Sequence, residues 1–266
     1  MSDTPLTAAI LGLVEGLTEF LPVSSTGHLI VIGDLLGFGG NFSKLFDVVI
    51  QLGAIFAVCW LYRAKLWHTA TTLATDAQSR RFAINVLVAF LPAVVIGFLA
   101  HDFIKRVLFS PLVVAWAFIV GGLVILAVER WRPKATIATT EAMAPPTALT
   151  IGFFQCLAMV PGTSRSGATI VGALLLGVTR EAATEFSFFL AIPTMAGATV
   201  LDVYKARDDL ANGEWGLIAI GFVVAFLSAL VVVKGLVGFV SRHGFAPFAW
   251  YRILAGIGIL CLLYTR

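Results

Sequence analysis

Charge is scarce in this chain. Only 12% of its 266 residues are Asp, Glu, Lys or Arg and 59% are hydrophobic, whereas soluble domains carry about 25% charged residues. That shortage excludes an ordinary soluble domain and points to a bilayer. Cysteine is almost absent: Cys59, Cys156 and Cys261 each lie inside an apolar segment without metal-ligand spacing. They are expected to be small buried packing residues, which excludes a disulfide framework and a zinc site. The first apolar stretch lacks a basic flank and runs into Glu15 and Glu19 where a signal peptide would have a small-residue cleavage site, so no cleaved signal is expected. Nucleic acid is not an expected partner.

What the chain has instead is length in its apolar runs. Six of them, at 48–61, 83–100, 112–128, 186–201, 217–233 and 248–263, reach the roughly 17–20 residues that cross about 30 Å of hydrocarbon once their edges are included. The expected fold class is an all-α integral membrane protein with six transmembrane helices.

The sequence also matches itself. At an offset of 140, Gly12, Leu17, Ser24, Gly27, Ile30, Val31 and Gly37 meet Gly152, Leu157, Ser164, Gly167, Ile170, Val171 and Gly177. At an offset of 136, "VAFLPA" (88–93) meets "VAFLSA" (224–229). Residues 1–136 and 137–266 are therefore expected to be two repeats of a single membrane domain. Each has a Gly/Pro-interrupted, re-entrant helix pair, at 6–37 and 147–177, followed by three crossings. An odd number of crossings inverts the second repeat. Loop charge agrees: Arg63, Lys65, Arg80 and Arg81 face only Asp76 in the 63–81 loop, while Lys205 and Arg207 face Asp202, Asp208, Asp209 and Glu214 in the 202–214 loop. By the positive-inside bias the first loop is cytoplasmic and both termini are outside. Eleven basic residues then collect on the cytoplasmic side, Arg252 among them. Six fall outside: Lys44, Lys105, Arg106, Lys205, Arg207 and Arg266.

Interrupted helices at membrane depth need protein or a wet cavity for their freed backbone groups. Here Pro22 precedes Ser24, Ser25, Thr26 and Gly27, and "PGTSRSGAT" (161–169) repeats the pattern. Each is a helix stop followed by good N-cap residues. In an inverted repeat the two turns meet near the midplane, and two helix N-termini aimed at one spot make an anion site. Arg165 is the only basic residue placed within an apolar segment and away from its end. Its planar fork suits phosphate oxygens, with Ser164, Ser166 and Thr169 beside it; the plainer role is to neutralise Glu15 or Glu19. Those two glutamates, four apart, share a helix face. They suit a divalent metal bridging to phosphate, or one of them acting as a base. His28, after three hydroxyls, suits proton transfer or nucleophilic attack. Together these supply the nucleophile, acid or base, and positive charge that phosphoryl transfer requires. Gln51, Asn85 and Gln155 are expected to be interhelical hydrogen-bond partners.

At "EGLTEFLPVSSTGH" (15–28) and "PGTSRSGAT" the chain resembles the undecaprenyl-pyrophosphate phosphatase family of bacteria, the bacitracin-resistance proteins; length and hydrophobic layout agree from end to end. The resemblance implies an inner-membrane hydrolase that removes the terminal phosphate of a polyprenyl pyrophosphate lipid, returning the monophosphate carrier to peptidoglycan synthesis. It also implies a site open to the periplasmic side, and a link to bacitracin, which sequesters the same lipid. By motif, Glu15 and Glu19 are its acidic pair and Ser25 and His28 the hydroxyl and imidazole of the first turn. Ser164, Arg165 and Thr169 are its phosphate-binding residues, with Ser24, Thr26 and Ser166 beside them. The family's site takes Mg²⁺ or Ca²⁺, which would fall to Glu15 and Glu19. The attacking group is Ser25, His28 or water, and a homodimer is left open. The competing class is a lipid-phosphate flippase or anion transporter, which can share an inverted-repeat fold.

Overall fold

Proline and its caps decide where helices begin. In the computed structural model, which describes residues 4–107, 110–205 and 214–265, α1 (Pro5–Thr18) opens with proline in its first turn and with Thr4 Oγ1 accepting from Thr7 N at 3.2 Å. The helix α6 (Pro111–Trp131) repeats the device with Ser110, and α7 (Pro145–Cys156) also opens on proline. Proline at the first helical position gives up an N–H that would have no partner anyway. Glycine closes α2 (Ser25–Leu36), where Gly37 adopts φ 67°, a conformation open mainly to glycine.

The other α-helices among the described residues are α3 (Asn41–Leu61), α4 (Arg63–Thr72), α5 (Ala77–Val107), α8 (Arg165–Leu175), α9 (Arg180–Lys205), α10 (Trp215–His243) and α11 (Ala246–Thr265). Among the described residues, five helices are long and apolar enough to cross a membrane, and a sixth crossing results if α3 and α4, bent by 72°, form one span. The 63–81 stretch expected as a loop is largely the helix α4. It turns aside because its polar Arg63, Lys65 and His68 do not suit hydrocarbon, while Trp60 and Trp67, 58% and 73% exposed, suit a membrane–water interface. The outward surface of the long helices is apolar, with Phe98, Val231 and Leu254 well exposed. Cys59 and Cys156 are half-buried and Cys261 is exposed, all free; the expectation of three buried cysteines is corrected, since an apolar residue on an outer helix face needs no burial in protein when lipid covers it.

The two short helices before the breaks lie against long ones: α1 along α10, α7 along α5. Both contacts are at backbone range. A Cβ on Gly12 would fall onto the Gly221 carbonyl, and one on Gly152 onto the carbonyl of Ala89. Small residues allow this approach. The broken segments are thus seated among the long helices.

At one end, basic residues from separate elements gather around the 132–144 connection. Lys65 Nζ pairs with Glu141 at 2.6 Å, Arg81 Nε and Asn85 Nδ2 donate to Met143 O at 2.9 and 2.8 Å, and Arg180 Nη2 pairs with Glu129 at 2.5 Å. Arg207, Asp208, Asp209 and Arg266 lie outside the described residues, as do the side chains of Lys44, Lys105, Arg106 and Lys205; these include the whole outer set of the charge comparison.

Candidate functional site

The helices break before Pro22 and Pro161, although Pro92 and Pro193 are accommodated inside α5 and α9, and the same unusual backbone occurs just after each break. Ser24 has φ 71° and Ser164 φ 76°, the two non-glycine residues with positive φ among those described. Each caps the helix after it: Ser24 Oγ accepts from Gly27 N at 3.4 Å, and Ser164 Oγ from Gly167 N at 3.1 Å. Such a conformation costs of order 1–3 kcal/mol and persists where the surroundings enforce it. The strain falls at matching positions of the two motifs.

The turns touch. Ser166 Oγ donates to Leu21 O at 2.7 Å, from the second motif to the first. Arg252, 0% exposed, joins them further: it donates to Pro22 O at 3.1 Å, to Gly162 O at 2.8 Å and to Thr163 O at 2.9 Å. It also reaches Ala117 O at 2.8 Å and Phe118 O at 3.3 Å on α6. Sequence reasoning misses this residue. It places Arg252 among the cytoplasmic end charges and makes Arg165 the only basic residue inside an apolar segment. Both statements are corrected, because five carbonyls replace water around the Arg252 guanidinium. The signal is its place seven positions into α11 with apolar residues beyond; the aromatic neighbours Trp250 and Tyr251 disguise it as an interfacial charge.

Between the turns lies a cavity of about 340 Å³ whose wall includes Glu19, Ser24, Ser25, Thr26, Ser164 and Arg165. Glu19 is the joint. Its Oε1 accepts from Arg165 Nη2 at 2.9 Å and its Oε2 from the Ser25 hydroxyl, so a carboxylate, a hydroxyl and a guanidinium form one chain. Arg165 is held from behind by Ser187, whose carbonyl accepts from Nη1 at 2.8 Å, and its guanidinium lies 5.7 Å from the centre of the Phe20 ring. Pairing with Glu19, the plainer role for Arg165, and placement in the cavity thus coexist. A hydroxyl donating to a carboxylate is the arrangement of a nucleophile beside its base.

Four other candidates do not line the cavity. Thr169 Oγ1 bonds Ser187 Oγ at 2.8 Å and so braces the residue that holds Arg165. Ser166 ties the turns, as above. His28 faces away: Nδ1 donates to Ser24 O at 2.7 Å, Nε2 pairs with the Tyr251 hydroxyl at 2.6 Å, and the two rings stack. It therefore braces the strained Ser24 and, with Arg252, fixes α11 to the first turn. Glu15 is 0% exposed, and neither carboxylate oxygen has a hydrogen-bond partner. A buried, unpartnered carboxyl calls for a proton, a cation or water, which fits a divalent ion. Each Glu19 oxygen accepts one hydrogen bond and keeps a second lone pair, while both Glu15 oxygens are unengaged, and no cluster of three or more His, Cys, Asp or Glu occurs among the described residues.

Of the interhelical partners expected, Gln155 on α7 accepts from Thr194 on α9 at 3.3 Å and also lines the cavity, Asn85 donates to Met143 O in the 132–144 connection, which is not a helix, and Gln51 lines the cavity.

Fold and site define a multi-pass helical membrane protein with a cavity between two strained helix N-termini, its wall apolar in the main but including Glu19, Ser25 and Arg165. The chain belongs to the family described as Bacitracin resistance protein BacA, whose model matches residues 8–258. It is 59% identical over 261 residues, 98% of this chain and all of the relative, to "Undecaprenyl-diphosphatase 2" of Paramagnetospirillum magneticum. To "Undecaprenyl-diphosphatase" of Nitrosospira multiformis it is 55% identical over 98% of this chain and 95% of the relative. The same identity holds for "Undecaprenyl-diphosphatase 1" of Agrobacterium fabrum, over 97% of each.

Proposed function

We propose that this chain hydrolyses undecaprenyl pyrophosphate to undecaprenyl phosphate and inorganic phosphate, recycling the lipid carrier for peptidoglycan synthesis and conferring resistance to bacitracin. The observation that carries the chemistry is Glu19, which accepts at once from Ser25 and Arg165 on the cavity wall. Ser25 Oγ attacks the terminal phosphorus and its proton passes to Glu19 Oε2. The bond to the bridging oxygen breaks, and undecaprenyl phosphate leaves. Water then attacks the phosphoserine, and the proton it loses and the one held by Glu19 go to inorganic phosphate and to Ser25. Arg165 and the N–H groups of the first turns of α2 and α8 hold the phosphoryl oxygens, where preorganised donors have most effect. Attack by Ser25 is favoured over attack by His28 because both His28 ring nitrogens are engaged away from the cavity.

Glu15, with Glu19, would hold Mg²⁺ or Ca²⁺, whose charge would offset that of the pyrophosphate.

The repeats are proposed to be inverted in the inner membrane, with both termini and the cavity mouth on the periplasmic side. The basic cluster at Lys65, Arg81 and Arg180 supports a cytoplasmic location for the opposite end. Removing Arg252 from the cytoplasmic set leaves ten residues there and does not alter its sign. A homodimer is compatible with this arrangement.

The test is phosphate release from undecaprenyl pyrophosphate by the purified chain in detergent. Glu19→Ala and Arg165→Ala should each abolish it while leaving the protein inserted and folded; near-normal turnover in either removes the proposed site. Trapped phosphate should be acid-stable, as a serine ester is, and not acid-labile as a phosphohistidine is. Lipid translocation without phosphate release would favour the transporter instead.

A further inference from the structure

Two buried donors in the cavity wall have nothing to donate to. Gln155, on α7, is 2% exposed; its Oε1 accepts from Thr194 Oγ1 at 3.3 Å, and its Nε2 has no partner. The Nε of Arg165 is the second. Both residues line the same cavity. Buried amide and guanidinium N–H groups are costly to leave unpaired, and a cavity that gathers them needs an occupant rich in acceptors. It must also lie where Glu19 and Ser25 can act on it.

Gln155 has a further peculiarity of place. At the 140-residue offset that aligns Ser24 with Ser164, it stands opposite Glu15. The two equivalent positions are both sealed from solvent, and each has unpartnered polar atoms. One supplies a carboxyl and the other an amide. An anion with bound cation needs that division: a carboxylate facing the cation, and a neutral donor facing the anion where a second carboxylate would repel it.

We infer that Gln155 is a substrate-binding residue, its Nε2–H groups donating to an oxygen of the terminal phosphate beside the Nε–H of Arg165. This rests on the diphosphate-hydrolase reading and adds to it a donor from α7, a helix that lies outside both motifs. With Arg165 and Gln155 donating from one side and the α2 N-terminus from another, the terminal phosphorus is held facing the Ser25 hydroxyl.

The probe is a prenyl methylenediphosphonate, in which a carbon replaces the bridging oxygen so that hydrolysis cannot occur. Its affinity for the full chain in detergent is measured by calorimetry, together with thermal midpoints. Gln155→Leu should bind the probe roughly 10- to 100-fold more weakly, the range for loss of one hydrogen bond to a charged group, with its midpoint nearly unmoved. Gln155→Glu, which keeps the volume and replaces donor by acceptor, should bind more weakly still, and it serves as the test if the leucine variant does not fold. An affinity within about threefold of the parent for either folded variant overturns the proposal, as does a fall in midpoint with affinity intact, the mark of a structural amide. Failure of the parent reading is separately visible: a chain that binds the probe through Gln155 but releases no phosphate from undecaprenyl pyrophosphate is not a hydrolase.

Discussion

Replacing Arg252 by methionine should uncouple the two turns, because five carbonyls lose their donor at once. Three belong to the turns themselves, Pro22, Gly162 and Thr163, and two to α6, Ala117 and Phe118. Each bond from a charged donor contributes about 1.5–3 kcal/mol, so the gross sum of five is roughly 8–15 kcal/mol. Burying the guanidinium costs several kcal/mol in the other direction, and methionine fills much of the vacated volume. A net loss of about 3–5 kcal/mol is expected, the range found when one partner of a buried charged network is removed. At about 2–4 °C per kcal/mol for a chain of this size, the thermal midpoint should fall by ~6–20 °C in detergent. Turnover should fall too, by about 100-fold, since Glu19 and Ser25 ride on one turn and Arg165 on the other, and displacements near 1 Å are that costly. Arg252→Lys should fall in between, because an ammonium has three donors and no planar fork. The assay is a thermal ramp beside a phosphate-release measurement on the same preparation. A methionine variant with its midpoint within about 2 °C and turnover within threefold of the parent would refute the pinning role.

The strained caps offer a second test. Ser24→Gly removes the strain of a positive φ, worth ~1 kcal/mol or more, against a few tenths for the serine cap, so the midpoint should hold or rise by a few degrees while phosphate release drops if the hydroxyl contacts phosphate. A lowered midpoint would mean that the backbone there is not strained. Gly12→Leu should destabilise by about 1–3 kcal/mol or prevent insertion, because its side chain meets the Gly221 backbone; unaltered thermal stability would place α1 farther from α10. Chelation should abolish activity and added Mg²⁺ or Ca²⁺ restore it, with Glu15→Gln raising the metal concentration needed by ~10-fold or more. Full activity in excess chelator would remove the metal.

How much of the fold and site is legible in the sequence depends on whether a signal is local. Pro22 and Pro161, each succeeded by hydroxyl residues, announce broken helices in any reading, and the breaks fall where they do. Apolar runs long enough to span announce themselves equally. Arg252 does not, because nothing beside it in sequence indicates that five carbonyls from three separate segments converge there; a lone arginine after Trp and Tyr has the same local pattern as an interfacial anchor. His28 shows the same limit: its neighbours Ser24, Ser25 and Thr26 suggest a catalytic imidazole, while the partner of its Nε2, Tyr251 on α11, is indicated by nothing near it in sequence. The bend at Tyr62 is likewise invisible to a count of apolar residues, being set by where Arg63 and Lys65 must stop.

A break in a helix leaves carbonyls within the gap and N–H groups at the start of the next helix without helical partners, and this fold sends the two kinds of group to different partners. The carbonyls of Pro22, Gly162 and Thr163 all turn to Arg252, which is closed off from solvent. The N–H groups beyond the gap, at the starts of α2 and α8, are satisfied by Ser24 and Ser164 only at Gly27 and Gly167, so the first turn of each helix retains donors for the cavity. In the proposed reaction, acceptors are thereby withdrawn from the side that faces the anion and donors are left on it. Arg252, which does not line the cavity, thus acts on the two turns that do: with these carbonyls bound to it, Ser25, Arg165 and Gln155 are among the polar groups on the cavity wall. Glu19 is the carboxylate among them, and it is the group that must take a proton.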